Sequence, residues 1–144
     1  IRYPRGGEDS EIKFERHDPI ELGKSEIFKC AGEKKSITII AIGKMVAKAM
    51  EMAKELKNNS GAEADVINAR FLKPLDESNI LESIKKTKNV ITIEDGTKIN
   101  GLGTAIKEVI IDNNLKDINF KSYAYPDEFI RHGSVEELEK IYLK

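Results

Sequence analysis

The chain has 144 residues, room for one ordinary domain, and 40% of them are hydrophobic, enough to build a core. Its 24 basic and 25 acidic side chains nearly cancel, which argues against a general nucleic-acid binder, whose footprint is a net basic face. The lone Cys30 cannot close an internal disulfide, no secretory signal leads the chain, and the longest apolar run, "ITIIAIG", is far too short to span a bilayer, so the cytoplasm is the default compartment.

The chain opens "IRYPRGG", in which Arg2 and Arg5 bracket Tyr3-Pro4 and two glycines follow. A guanidinium offers a planar fork of donors that fits phosphate and stays charged near neutral pH. Residues 8–20 have neither periodicity nor apolar density and read as a linker. "GKSEIFKC" (23–30) and the turn "AGEK" predict a strand running antiparallel to residues 37–42.

From residue 37 two periods alternate. "ITIIAIG" (37–43) is a continuous β-branched run ending in glycine, as expected of a strand buried on both faces. "KMVAKAMEMAKELKNN" (44–59) follows as a helix with Met45, Ala49, Met52, Ala53 and Leu56 on one face. "AEADVINAR" (62–70) is the next strand. In "KPLDESNILESIKK" (73–86) Asp76 stands at the N-cap of a helix that turns Ile80, Leu81 and Ile84 inward. "NVITIEDG" (89–96) is again a buried strand, and "GLGTAIKEVIIDNN" (101–114) a helix with Ala105, Ile106, Val109 and Ile110 inward. "INFKSYAY" (118–125) is the last strand. "SVEELEKIYLK" (134–144) opens with Ser134 and Glu137, an S-x-x-E capping box, and is expected to bury Leu138 and Ile141.

The β-α-β-α-β-α-β-α order predicts an α/β domain over 21–144: a five-stranded, mostly parallel sheet with one antiparallel strand and helices on both faces. That domain is complete without the leading residues, so 1–7 are expected to be the last strand and exit loop of a preceding domain, with 8–20 as linker.

Chemistry is sparse in the residues themselves. Gly101-x-Gly103 opens a helix after a strand and offers an anion-binding turn, but Ile106 stands where a dinucleotide fingerprint needs a third small residue. The alternative is a tight strand-to-helix turn that needs glycine for its backbone angles. His17 and His132 lack spaced partners for a metal. "PDEFIRHG" (126–133) gathers Asp127, Glu128, Arg131 and His132, either for acid/base work or as a plain connection with Phe129 packed inward and the charges paired locally. Arg70 and Lys73 follow a strand at the edge where open sheets bind ligands, although Arg70 is as readily explained by an acidic partner.

"IRYPRG", "AIGKMVAKAMEMAKEL", "NARFLKPLD", "ITIEDGTKINGLGTAI" and "YPDEFIRHG" occur together in one order and spacing. In these motifs the chain resembles the C-terminal portion of the 1-deoxy-D-xylulose-5-phosphate synthase family, transketolase-like enzymes that depend on thiamine diphosphate. The resemblance implies a three-domain homodimeric parent that condenses pyruvate with glyceraldehyde 3-phosphate and releases CO2, in a bacterial cytoplasm or a plastid. It implies that thiamine diphosphate and Mg2+ are bound by the preceding N-terminal and pyrimidine-binding domains, with no cofactor, metal or catalytic residue in this chain, and no nucleic-acid or membrane partner. By position in the motif, Arg5 matches the arginine that holds the phosphate of the acceptor substrate, with Arg2 second. Asn100 departs from the family glycine beside "GLG". The fragment is thus expected to pack and to make dimer contacts, inactive alone. Two other readings remain open: the C-terminal domain of another transketolase-like enzyme, and a stand-alone regulatory module that binds an anion at Lys44, Arg70 and the Gly101–Gly103 turn.

Overall fold

Strands and helices alternate along the chain in the computed structural model, which describes residues 19–29 and 35–143. The elements are β1 (Glu26–Lys29), β2 (Lys35–Ala41), α1 (Met45–Ser60), β3 (Glu63–Asn68), α2 (Glu77–Thr87), β4 (Asn89–Thr97), α3 (Leu102–Asp112), β5 (Asn119–Tyr125) and α4 (Val135–Tyr142). The five strands form one sheet in the order β1-β3-β2-β4-β5, in which β2 to β5 are parallel and β1 is antiparallel. The mixed five-stranded α/β architecture is the one the alternating periods predict.

The partner of β1 differs from expectation. It pairs with β3, Glu26 opposite Asn68 and Lys29 opposite Asp65, and so lies one strand away from β2. Both ladder edges of β2 are already taken, by β3 and β4. A four-residue strand can add only at a free edge, and the outer edge of β3 provides one.

Alternation along the strands builds two cores. Ile39, Val66 and Ile93 face α1 and pack with Met45, Val46, Ala49 and Ala53. Their neighbours Ile40, Ile67 and Val90 point the other way, against Ile80 and Ile84 of α2 and Leu102 and Ile106 of α3. Each fully buried aliphatic of this kind contributes about 1.5–3 kcal/mol relative to exposure. Between β2 and α2 the packing is polar: Thr38 Oγ1 lies 2.7 Å from both Ser83 Oγ and Thr87 Oγ1, and Ser83 donates to the buried Asp65 at 3.0 Å. The hydroxyls on α2 therefore give a buried carboxylate a hydrogen-bonded neighbour.

Two helix ends carry corrections. Asp76 occupies the N-cap of α2, but its carboxylate does not cap the first turn. It accepts instead from the Ser25 N–H and hydroxyl, the Asn79 amide and the Ser78 hydroxyl, at 2.8–3.0 Å, tying the lead-in to β1 onto α2. In α4 the capping box forms as expected, with Ser134 accepting from the Glu137 N–H. Leu138 and Ile141, however, are not buried; Ile141 is 60% exposed. The helix sits against the domain by another face, described below.

Candidate functional site

The crossover from β2 goes to one side of the sheet and that from β4 to the other, so strand order reverses between them. The crevice beyond the carboxyl ends of β2 and β4 is where an open α/β sheet binds ligands. Gly43, at φ +62, turns the chain out of β2 and delivers Lys44 to this crevice. There Lys44 Nζ lies 3.0 Å from Asp95 of β4 and 3.8 Å from Glu139 of α4, while Lys48, one turn further along α1, holds Glu139 at 2.6 Å. Both cations facing the crevice thus have protein carboxylates. Tyr125, at the end of β5, closes the group: its ring lies 5.9 Å from that of Tyr142. Burial, then the negative charges of Asp95 and Glu139, push its phenol above the ordinary value.

The second candidate is the turn at Gly101 and Gly103. The N–H groups at the start of its helix are met from within the chain, by Glu94. The buried carboxylate accepts from the Leu102 N–H at 2.7 Å and the Gly103 N–H at 2.9 Å, satisfying two of the donors that a helix start leaves free. The glycines follow from this approach. A Cβ at Gly101 would overlap the Glu94 carboxylate and stand 2.6 Å from Thr97 O; one at Gly103 would overlap Ser122 Oγ and come within 3.1 Å of Thr92 Oγ1. Gly101 has extended backbone angles that any residue adopts, so the requirement is space alone.

The remaining sequence-derived candidates scatter. Arg70 pairs with Glu26 of β1 at 2.7 Å, which supports the structural account of it. Asp127, Glu128, Arg131 and His132 are exposed, and among the described residues none of them enters an ion pair. The expectation that Phe129 packs inward is overturned: its side chain is fully exposed, on an open groove that separates the connection from Leu138, Ile141 and Tyr142 of α4. Arg2, Arg5, His17 and Cys30 lie outside the described residues. Among the described residues no three His, Cys, Asp or Glu side chains converge as a metal would require, and no helix is long and apolar enough to cross a membrane.

Sequence reading missed Glu94 and Glu139. A signal for Glu94 was present: in "VITIE" it shares parity with Val90 and Thr92, which places an acid on the strand face toward α3, at the strand end nearest the glycine turn. Glu139 carried none, since its partners lie on an element 91 positions away.

The family model described as "Transketolase, C-terminal domain" matches residues 28–144. The chain is 43% identical over 145 residues to the 1-deoxy-D-xylulose-5-phosphate synthase of Halothermothrix orenii, covering 99% of this chain and 22% of the relative. It is 42% identical to the synthase of the same name from Caldanaerobacter subterraneus, again over 99% of this chain and 22% of the relative. The chain therefore spans about a fifth of the length of these curated relatives. Among solved structures, one described as a split gene transketolase, inactive beta4 tetramer, superimposes with a TM-score of 0.74 at 34% identity, covering 85% of this chain and 38% of that one.

Proposed function

The chain belongs to the transketolase C-terminal domain family, and from that premise we propose that it is the C-terminal domain of a synthase that condenses pyruvate with glyceraldehyde 3-phosphate to 1-deoxy-D-xylulose 5-phosphate and CO2. The observation that carries the reading is the reach of the similarity. The match to the synthases covers 99% of this chain and so reaches upstream of residue 28, where the family model begins.

In this reading the decarboxylating chemistry is supplied by thiamine diphosphate and Mg2+ on other parts of the polypeptide. The described residues do not fit either group. The donors at the start of α3 are filled by Glu94, Lys44 is held by Asp95 and Glu139, and no carboxylates converge on a cation position. The contribution of this chain is then to fold as a rigid body, to support a homodimeric parent, and to carry Arg5, with Arg2 beside it, toward the phosphate of the acceptor. The same filled donors weigh against the stand-alone anion-binding module.

The test is turnover by the intact polypeptide that carries this chain, supplied with thiamine diphosphate, Mg2+, pyruvate and glyceraldehyde 3-phosphate. The expected result is stoichiometric CO2 and 1-deoxy-D-xylulose 5-phosphate, with none from the 144-residue chain alone. Use of a two-carbon ketol donor in place of pyruvate would move the assignment to another transketolase-like enzyme.

A further inference from the structure

The exposed large apolar side chains are distributed unevenly over the domain. Among the described residues, all of them except Ile27 on β1 and Ile111 on α3 come from segments that meet at the carboxyl edge of the parallel strands. Ile20 and Leu22 lie on the lead-in to β1, Leu72 follows β3, Ile99 follows β4, and Phe129 and Ile141 follow β5. The loops at the opposite edge are polar, with Lys88, Asn113, Asn114, Lys116 and Asp117 all exposed.

Helix α4 makes the asymmetry sharpest. It meets the domain through Glu139 on Lys44 and Lys48, through Tyr142 against Tyr125 and through the buried Leu143 at its end, and leaves Ile141 and Val135 in solvent at 60% and 55% exposure. Between this outer face and the fully exposed Phe129 runs an open groove of about 530 Å³, floored by Leu138 and flanked by Arg131 and His132. Apolar surface gathered at one end of a domain and rimmed by polar groups marks an interaction site.

The route of the chain identifies what covers it. Residues 19–25 approach across this same edge and are pinned there: Gly23, at φ +72, lies so close to Pro74 that a Cβ would stand 2.9 Å from its Cγ, and Ser25 is clasped by Asp76 and Asn79. The chain therefore enters the described domain at residue 19 beside the apolar rim, and the relatives are between four and five times the length of this chain. We propose that the carboxyl edge is the docking face for the preceding part of the same polypeptide, which lays apolar side chains over the lead-in at Leu22 and into the groove at Phe129. The inference rests on the reading of the chain as one domain of a longer synthase.

Hydroxyl-radical footprinting of the intact polypeptide tests it, with each side chain's oxidation rate in the native protein compared with its own rate in the denatured protein. The expected result is a fall of about tenfold at Phe129 and several-fold at Leu22, with Ile111 close to its denatured rate. Rates at Phe129 and Leu22 as high as in the denatured protein, in a polypeptide that turns over both substrates, would overturn the docking face and leave the functional reading standing. Protection that disappears on dilution would assign the face to a second copy and overturn the proposed occupant. A natural polypeptide no longer than this chain would overturn both readings together. Lysine cross-linking supplies an independent check: links to upstream lysines should form from Lys73 and Lys98 at this edge, and the proposal fails if they form from Lys88 and Lys116 instead.

Discussion

Replacing Glu94 isolates the role of the α3 turn. In the native domain the carboxylate, 5% exposed, accepts from two backbone N–H groups and lies at the positive end of a helix. In Glu94→Gln one amide oxygen remains as acceptor, and the amide NH2 faces the second N–H, donor against donor. One buried unsatisfied donor costs about 1–3 kcal/mol, and the lost charge at the helix start about 0.3–1 kcal/mol more. The expected loss is about 1.3–4 kcal/mol, or about 5–16 °C in Tm at roughly 4 °C per kcal/mol for a domain of this size. Glu94→Ala frees both donors and should lose about 1–2 kcal/mol more. It also opens a place for a small carboxylate, so formate at a concentration equal to its Kd should restore about 0.4 kcal/mol to Glu94→Ala and nothing to the parent. Urea denaturation gives the free energies, and hydrogen exchange at the Leu102 and Gly103 amides locates them. A Glu94→Gln variant within about 0.5 kcal/mol of the parent, with both amides still protected, would refute the reasoning.

Asp76 supplies a pH dependence. Burial alone would raise its pKa, but the Ser25 N–H, the Ser78 and Ser25 hydroxyls and the nearby Lys24 outweigh it and hold the group below its ordinary value of 3.8. A carboxyl lowered on folding contributes stability that is complete above the unfolded value and lost as pH falls through the folded one. Acid titration of stability should therefore show a loss below about pH 4 that Asp76→Asn removes, together with a drop of about 1–3 kcal/mol at pH 7. Glu139→Gln should loosen α4 by about 0.2–1 kcal/mol, since Lys44 and Lys48 are more than a third exposed, and the difference should shrink in 1 M salt when read by exchange of the α4 amides. In the intact enzyme Arg5→Ala should raise KM for glyceraldehyde 3-phosphate much more than for pyruvate; equal effects would remove the phosphate-anchor assignment.

The parts of the fold legible in the sequence are those fixed by local pattern. "ITII" and "VITI" are continuous β-branched runs because β2 and β4 are covered on both faces, and the helices between them show their inward stripes at helical spacing. The pairing of β1 was not legible, because a four-residue edge strand carries little register information and its place depends on which edge is vacant. Helix α4 shows a related limit. Periodicity groups Leu138 with Ile141 on one face but does not say whether that face meets the domain, and here Glu139, Tyr142 and Leu143 do so instead. Phe129 misled for the same reason: an aromatic in a short connection reads as core when nothing in the chain announces a covering surface. The glycine turn was half legible. The spacing located a helix start that follows a strand, while the acceptor its N–H groups meet depended on the parity of that strand, eight residues upstream.

The central claim, that this chain is one domain of a larger synthase, is tested most directly by the mass of the natural polypeptide that contains it. Intact mass spectrometry of the protein isolated from its source should give a polypeptide between four and five times as long as this chain, matching its relatives. A natural product of 16.2 kDa would contradict the account and leave the carboxyl edge as the surface of an independent protein.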